Sequence, residues 1–177
     1  MQTSNTLRQL RILTITAMFA AIITVTTAYI FHIPIGSSGG YIHIGDAFLY
    51  IAAALLPAPY AMAAGAVGAG LADMLSGAML WMPFTLVIKA LCALCFTYKS
   101  EKFLCRRNII ALIGAAAITL VGYYLAEAVI TQNLVAPVAS VWSSVVQSSA
   151  SALVFVVVGF ALDKAHFKTK VEARLYE

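Results

Sequence analysis

Four ionisable side chains stand in or beside apolar runs of this chain: Asp46, Asp73, Lys89 and Glu127. A charge in a membrane segment is costly, and it marks binding or relay by default. Asp73 and Lys89 fall near the facing ends of two consecutive apolar segments. At about 1.5 Å per residue they lie about 6 Å and about 9 Å inside those ends. The expectation is a structural ion pair between them, with direct substrate contact by Lys89 as the alternative. Glu127 sits in "GYYLAEAVITQN" beside Tyr123, Tyr124, Gln132 and Asn133. A carboxylate among aromatics suits a ligand with a ring or hydrogen-bond donors, although tyrosines also populate interfacial belts. In "SVWSSVVQSSA", Trp142 reads as a belt residue or a stacking wall. Gln147, five residues on, is expected to face inward, towards a ligand or another helix. His43 is a lid contact or a solvated loop residue. Asp46 opens an apolar run, so it caps a helix or meets a ligand.

Other chemistries lack their residues. Cys92 and Cys95 form a C-x-x-C with no second pair of ligands, which reads as small packing residues. There is no G-x-x-x-x-G-K-[ST], H-E-x-x-H or G-x-S-x-G, so neither nucleotide binding, metal catalysis nor a serine nucleophile is expected. No metal or cofactor is expected.

The elements that position these groups follow from composition. Of 177 residues, 62% are hydrophobic and 10% are charged, against about 25% charged in ordinary soluble domains. A soluble chain of this length cannot bury so much apolar surface. The N-terminal run is too long for a signal peptide, and no A-x-A site follows it. A helical span needs about 20 residues, with about 17 to 25 tolerated. Pro57, Pro59 and the "SGAMLWMP" stretch cut the middle of the chain, because proline disrupts helix interiors. The expectation is an all-α, polytopic bundle of six spans over residues 10–32, 42–56, 60–77, 83–98, 109–131 and 138–162. They form a single integral-membrane domain over 1–177.

Of the eleven Lys and Arg residues, ten lie in three places: Arg8 and Arg11; Lys99, Lys102, Arg106 and Arg107; Lys164, Lys168, Lys170 and Arg174. Six spans put all three on the cytoplasmic side, with both termini. Five would put the tail outside. The loops at 33–45, 77–82 and 132–137 then face outward without Lys or Arg. The first contains several glycines, as suits a binding element or lid.

The stretches "GGYIHIGDAFLYIAAALLP", "GAVGAGLADMLSG", "WMPFTLVIKAL" and "GYYLAEA" follow a short basic N-terminus and an Ala-rich first span. Together they resemble the substrate-binding S components of energy-coupling factor (ECF) transporters. The resemblance covers almost the whole chain, and 40–91 is its specific part. It implies a six-helix bundle in the cell membrane that captures a vitamin or related micronutrient at its outward face. It implies partners: a transmembrane coupling subunit (the T component) and two cytosolic ATPases, which supply the P-loops this chain lacks. It places ligand contacts in the first outward loop and in spans four to six. Tyr41, His43, Asp46, Trp81, Lys89, Tyr123, Glu127, Trp142 and Gln147 are the candidates. It places coupling-subunit contacts on small residues of the first span, which Ala17 and Ala21 match. The substrate is not set by the resemblance. A pyridoxine- or pyrimidine-like vitamin or a deazapurine base suits Glu127 and the aromatics.

Two other classes compete. A stand-alone secondary transporter of a small polar metabolite has ion-path candidates in Asp73, Lys89 and Glu127, but six short spans without inverted repeats count against it. A membrane enzyme lacks a catalytic constellation. The topology predicts that a cysteine probe at Ser37 is labelled from outside and one at Thr169 only after permeabilisation. The reverse pattern refutes it.

Overall fold

Prolines and extended residues divide the apolar sequence into separate helices. A computed structural model describes residues 2–30, 33–35 and 40–176. Helix α1 runs Gln2–Ala28. Strands β1 (Ile33–Ile35) and β2 (Gly40–Ile42) pair antiparallel, with Ile33 opposite Ile42 and Ile35 opposite Gly40. Helix α2 (Gly45–Leu55) stops where Leu56 becomes extended ahead of Pro57, as the residue before a proline prefers. Helix α3 (Ala58–Leu75) carries Pro59 in its first turn, and α4 (Met82–Cys95) carries Pro83 there. The missing amide costs nothing at those positions. Helix α5 (Arg106–Thr131) ends on Gln132 in the left-handed region, at φ 51°. A short 3₁₀ turn (Ala136–Ser140) leads into α6 (Val141–Lys164), and α7 (Phe167–Tyr176) follows.

Several boundaries differ from the sequence expectation. The loop after the first span contains a strand pair, and α2 starts at Gly45 rather than at 42, after β2. Helix α1 runs from Gln2 to Ala28 rather than from 10 to 32, and α4 ends at Cys95 rather than at 98. The short helix α7 in the basic tail was not expected at all.

The segments Thr6–Ala28, Arg106–Thr131 and Ala136–Lys164 are long and apolar enough to cross a membrane; Gly45–Leu55 and Met82–Cys95 are apolar but shorter. A short helix is tolerated where neighbours cover its ends. Helix α2 meets that condition: every residue but Phe48 is buried. It is the centre of the bundle, and Tyr50 stacks on Phe96 with ring centroids 4.9 Å apart, both edge-on to Phe155.

Helix α3 approaches three neighbours through glycines. Gly65 faces Leu49 of α2, Gly68 faces α1 and Gly70 faces Leu86 of α4. A Cβ at Gly68 would stand 2.7 Å from the Ala20 carbonyl oxygen and 2.9 Å from Ile23 Cβ. Thr24 adds a polar tie at the same point, its hydroxyl shared between the carbonyls of Ala20 (2.8 Å) and Gly68 (2.9 Å). Close backbone approach of this kind supports helix association where lipid supplies no hydrophobic drive.

The end opposite the hairpin is closed by polar side chains on backbone groups. Buried Asn108 accepts from the Thr97 amide (2.8 Å) and donates to the Thr97 (3.1 Å) and Phe103 (3.0 Å) carbonyls. The Asp163 carboxylate accepts from the amides of Phe103 (2.7 Å) and Leu104 (3.0 Å). Lys168 of α7 donates to the Ala54 carbonyl at the end of α2, at 2.7 Å.

Gly68→Leu is expected to lower stability by about 1–3 kcal/mol, the usual range for overpacking. Thermal unfolding in detergent measures it. An unchanged midpoint would contradict the α1–α3 contact.

Candidate binding site

Six helical elements and the link after β2 converge at the hairpin end around a cavity of about 80 Å³. The lining comes from α1 (Thr27), the β2–α2 link (His43), α3 (Asp73), Trp81 and α4 (Thr85, Lys89), α5 (Tyr123, Glu127), the 3₁₀ turn (Ser140) and α6 (Ser143, Ser144, Gln147).

The floor is built on one carboxylate. Asp46 lies in the first turn of α2, placed there because the helix starts at Gly45. Lys89 Nζ is 2.7 Å from its Oδ1 and 2.9 Å from its Oδ2, and Gln147 Nε2 donates to Oδ2 at 3.1 Å. Asp46 is 2% exposed, Lys89 1% and Gln147 6%. A buried carboxylate is tolerable when its lone pairs are used this fully by a cation and a neutral donor. The three residues tie α2, α4 and α6 together at one depth.

This corrects the expected Asp73–Lys89 pair. Counted from the α2–α3 turn, Asp46 lies about 14 Å along its helix and Asp73 about 22 Å. The lysine ammonium is at the lower level. Measured from the ends that the short α3–α4 loop joins, Asp73 stands two residues from the end of α3, about 3 Å, and Lys89 seven residues into α4, about 10 Å. Nor does Asp46 cap α2. The N-cap is Ile44, without a side-chain bond, and the Gly45 amide donates instead to His43 Nδ1 at 3.1 Å.

The walls are aromatic. The rings of Trp81 and Tyr123 lie 6.0 Å apart and tilted by 54°. The Tyr123 hydroxyl is 3.2 Å from that of Thr85, and Lys89 Nζ stands 5.1 Å from the Tyr123 ring centre. Near the rim Glu127 Oε1 accepts from the Ser140 hydroxyl at 3.0 Å. The turn that carries Ser140 is shaped by Asn133, whose side chain accepts from the Val135 amide (2.8 Å), and by Tyr124, which donates to the Leu134 carbonyl (2.7 Å).

Of the nine candidate contacts, His43, Trp81, Lys89, Tyr123, Glu127 and Gln147 line the cavity, and Asp46 lies against two of them. The side chain of Tyr41 falls outside the described residues. Trp142 is a correction: it is 74% exposed on the outer surface and not in the lining. Five residues turn a helix by about 140° beyond a full circle, so Trp142 and Gln147 cannot both face inward. Ser140, Ser143 and Ser144 were missed, as were Thr27 and Thr85. A signal for the serines was present: 140, 143, 144 and 147 fall at helical spacing on one face.

A family model for the S component of ECF-type riboflavin transporters matches residues 8–164. The chain belongs to this family. No curated protein matches it. As an ECF S component it is a helical membrane protein and a transport subunit rather than an enzyme, the part that captures a small-molecule substrate for the transporter. The match ends at Lys164, so α7 lies beyond it.

Lys89→Met is expected to destabilise the S component by about 3–5 kcal/mol, because it leaves Asp46 buried without its cation. Lys89→Met with Asp46→Asn should recover part of that loss; Lys89→Met with Asp73→Asn should not. Thermal unfolding of the three variants checks this, and rescue by Asp73→Asn alone would restore the original pairing.

Proposed function

We propose that this chain captures a ring-bearing, vitamin-like compound in the cavity at the hairpin end and delivers it to an ECF complex. The complex comprises a T component and two cytosolic ATPases, which hydrolyse the ATP. In this reading the whole chain works as one domain of six spans in the cell membrane. Both termini are cytoplasmic and the hairpin faces outward. The observation that carries it is the cavity itself: aromatic walls, hydrogen-bonding groups from α1, α3, α4, α5 and α6, and a floor held by a buried ion pair. The family is that of riboflavin transporters, which makes riboflavin the first compound to test. The pyridoxine-, pyrimidine- and deazapurine-like rings expected from the sequence draw no support from the family match.

Helix α1 supplies the docking face in this proposal. Its buried side, with Ile12, Thr16, Ile23 and Thr24, packs into the bundle. Ala17 and Ala21 are exposed, next to the face that carries Met18 and Ile22. Alanines four apart on an uncovered helix face allow close approach of a partner helix.

Ala17→Leu with Ala21→Leu is expected to leave ligand binding by the isolated chain unchanged. It should abolish co-purification with the T component and ATP-dependent uptake into proteoliposomes. Loss of thermal stability and of ligand binding would instead place these alanines inside the chain's own packing. Uptake by this chain without ATPases would make it a secondary transporter.

A further inference from the structure

A second cavity opens at the end of the bundle opposite the hairpin. We propose that it is a groove for an anionic phospholipid, whose phosphate rests on Arg106 and Arg107 and whose acyl chain lies along α5. This site is separate from substrate capture and does not depend on what the first cavity holds.

The groove has a volume of about 710 Å³. Cys95 lines it from the end of α4, and Arg106, Arg107, Ile110, Ile113 and Gly114 line it from α5. Residues three and four apart share a helix face. The arginines therefore stand one turn before Ile110, and Ile110 one turn before Ile113 and Gly114. At about 1.5 Å per residue this line runs about 10 Å along the helix. The helix is one of those long and apolar enough to cross a membrane, and Arg106 is its first residue. Charge thus sits at one end of the groove and apolar surface along the rest. Ile110 is 57% exposed and Ile113 73%, so neither is used in the chain's own packing. The groove is open at its deep end because Gly114 has no side chain; a Cβ there would stand 3.4 Å from Cys95 Sγ.

Both arginines are exposed. Among the described residues the ion pair is that of Lys89 with Asp46, at the other end of the bundle. Residues 97–108 hold Lys99, Lys102, Arg106 and Arg107 against Glu101 alone. Asp163, the nearby acid of α6, is taken up by the amides of Phe103 and Leu104. A guanidinium offers a phosphate two parallel N–H donors, and basic clusters at the ends of membrane helices recognise anionic headgroups. A soluble anion would use the arginines and leave the isoleucines idle. A zwitterionic lipid brings its own cation to its phosphate. An anionic phospholipid matches both halves of the groove at once.

The test adds dioleoyl phosphatidylglycerol or dioleoyl phosphatidylcholine to the delipidated full chain in detergent, and native mass spectrometry counts the bound lipid. The anionic lipid is expected to bind at about tenfold lower concentration or less, the effect of two basic residues at a membrane surface. Arg106→Gln with Arg107→Gln should abolish that preference. Lys99→Gln with Lys102→Gln removes the same charge outside the groove and should keep it. Gly114→Leu fills the groove and should weaken binding of the anionic lipid although both arginines remain. Should that variant fail to fold, the arginine and lysine pairs decide alone. Glycerol phosphate, which lacks acyl chains, should not displace the lipid at equal concentration. Equal binding of the two lipids, a preference that survives loss of the arginines, equal loss from the lysine pair, or displacement by glycerol phosphate would overturn the proposal. So would an arginine variant that keeps its lipid preference but no longer co-purifies with the T component, which would make the groove a protein contact.

Discussion

A lysine ammonium inside an apolar bundle has no water to meet, and Lys89 is almost fully buried. It is stable there because Asp46 offers both carboxylate oxygens and Gln147 takes up remaining lone-pair capacity. Removing either charge alone leaves the other stranded. Three helices distant in sequence are thereby held at one depth, and the rest of the site follows. With Asp46 fixed, the first turn of α2 is fixed, and with it His43 and the ribbon that leads into the helix. With Lys89 fixed, α4 presents Thr85 and Trp81 to Tyr123. With Gln147 fixed, the serine face of α6 turns inward.

The bundle around this cluster is held by different means at its two ends. Next to the cavity the ties from one helix to another run between side chains, through carboxylate, ammonium, amide and hydroxyl groups. At the far end they run from side chains to backbone, through Asn108, Asp163 and Lys168. In between, close contact replaces polar bonding, as at Gly68 against Ala20. A side-chain pair can be exchanged for contacts to an entering molecule. A backbone carbonyl or amide at a helix end has no such substitute without water. The distribution leaves the cavity end the more adaptable of the two.

Most helices were legible because apolar length and proline position state where a chain can and cannot be helical. His43 and Asp46 of "GGYIHIGD" lie at the cavity end of the bundle. Which group faces which was harder. Depth along a helix can be counted, but Lys89 met Asp46 instead of Asp73 because partner choice also depends on where each helix begins and how it is rotated. Trp142 was misplaced by rotation alone. Helix α7 was hidden by its short length and charged composition. The ribbon was hidden by strands of three residues, too short for any periodicity to register.

Helix α2 is bound at both tips, through Asp46 near its start and through the Ala54 carbonyl near its end, where Lys168 donates. Eleven residues make a rod about 16 Å long, too short to bend appreciably. Whatever displaces one tip must displace the other or break its bond. The floor of the cavity and the anchorage of the terminal helix are therefore the two ends of one stiff strut.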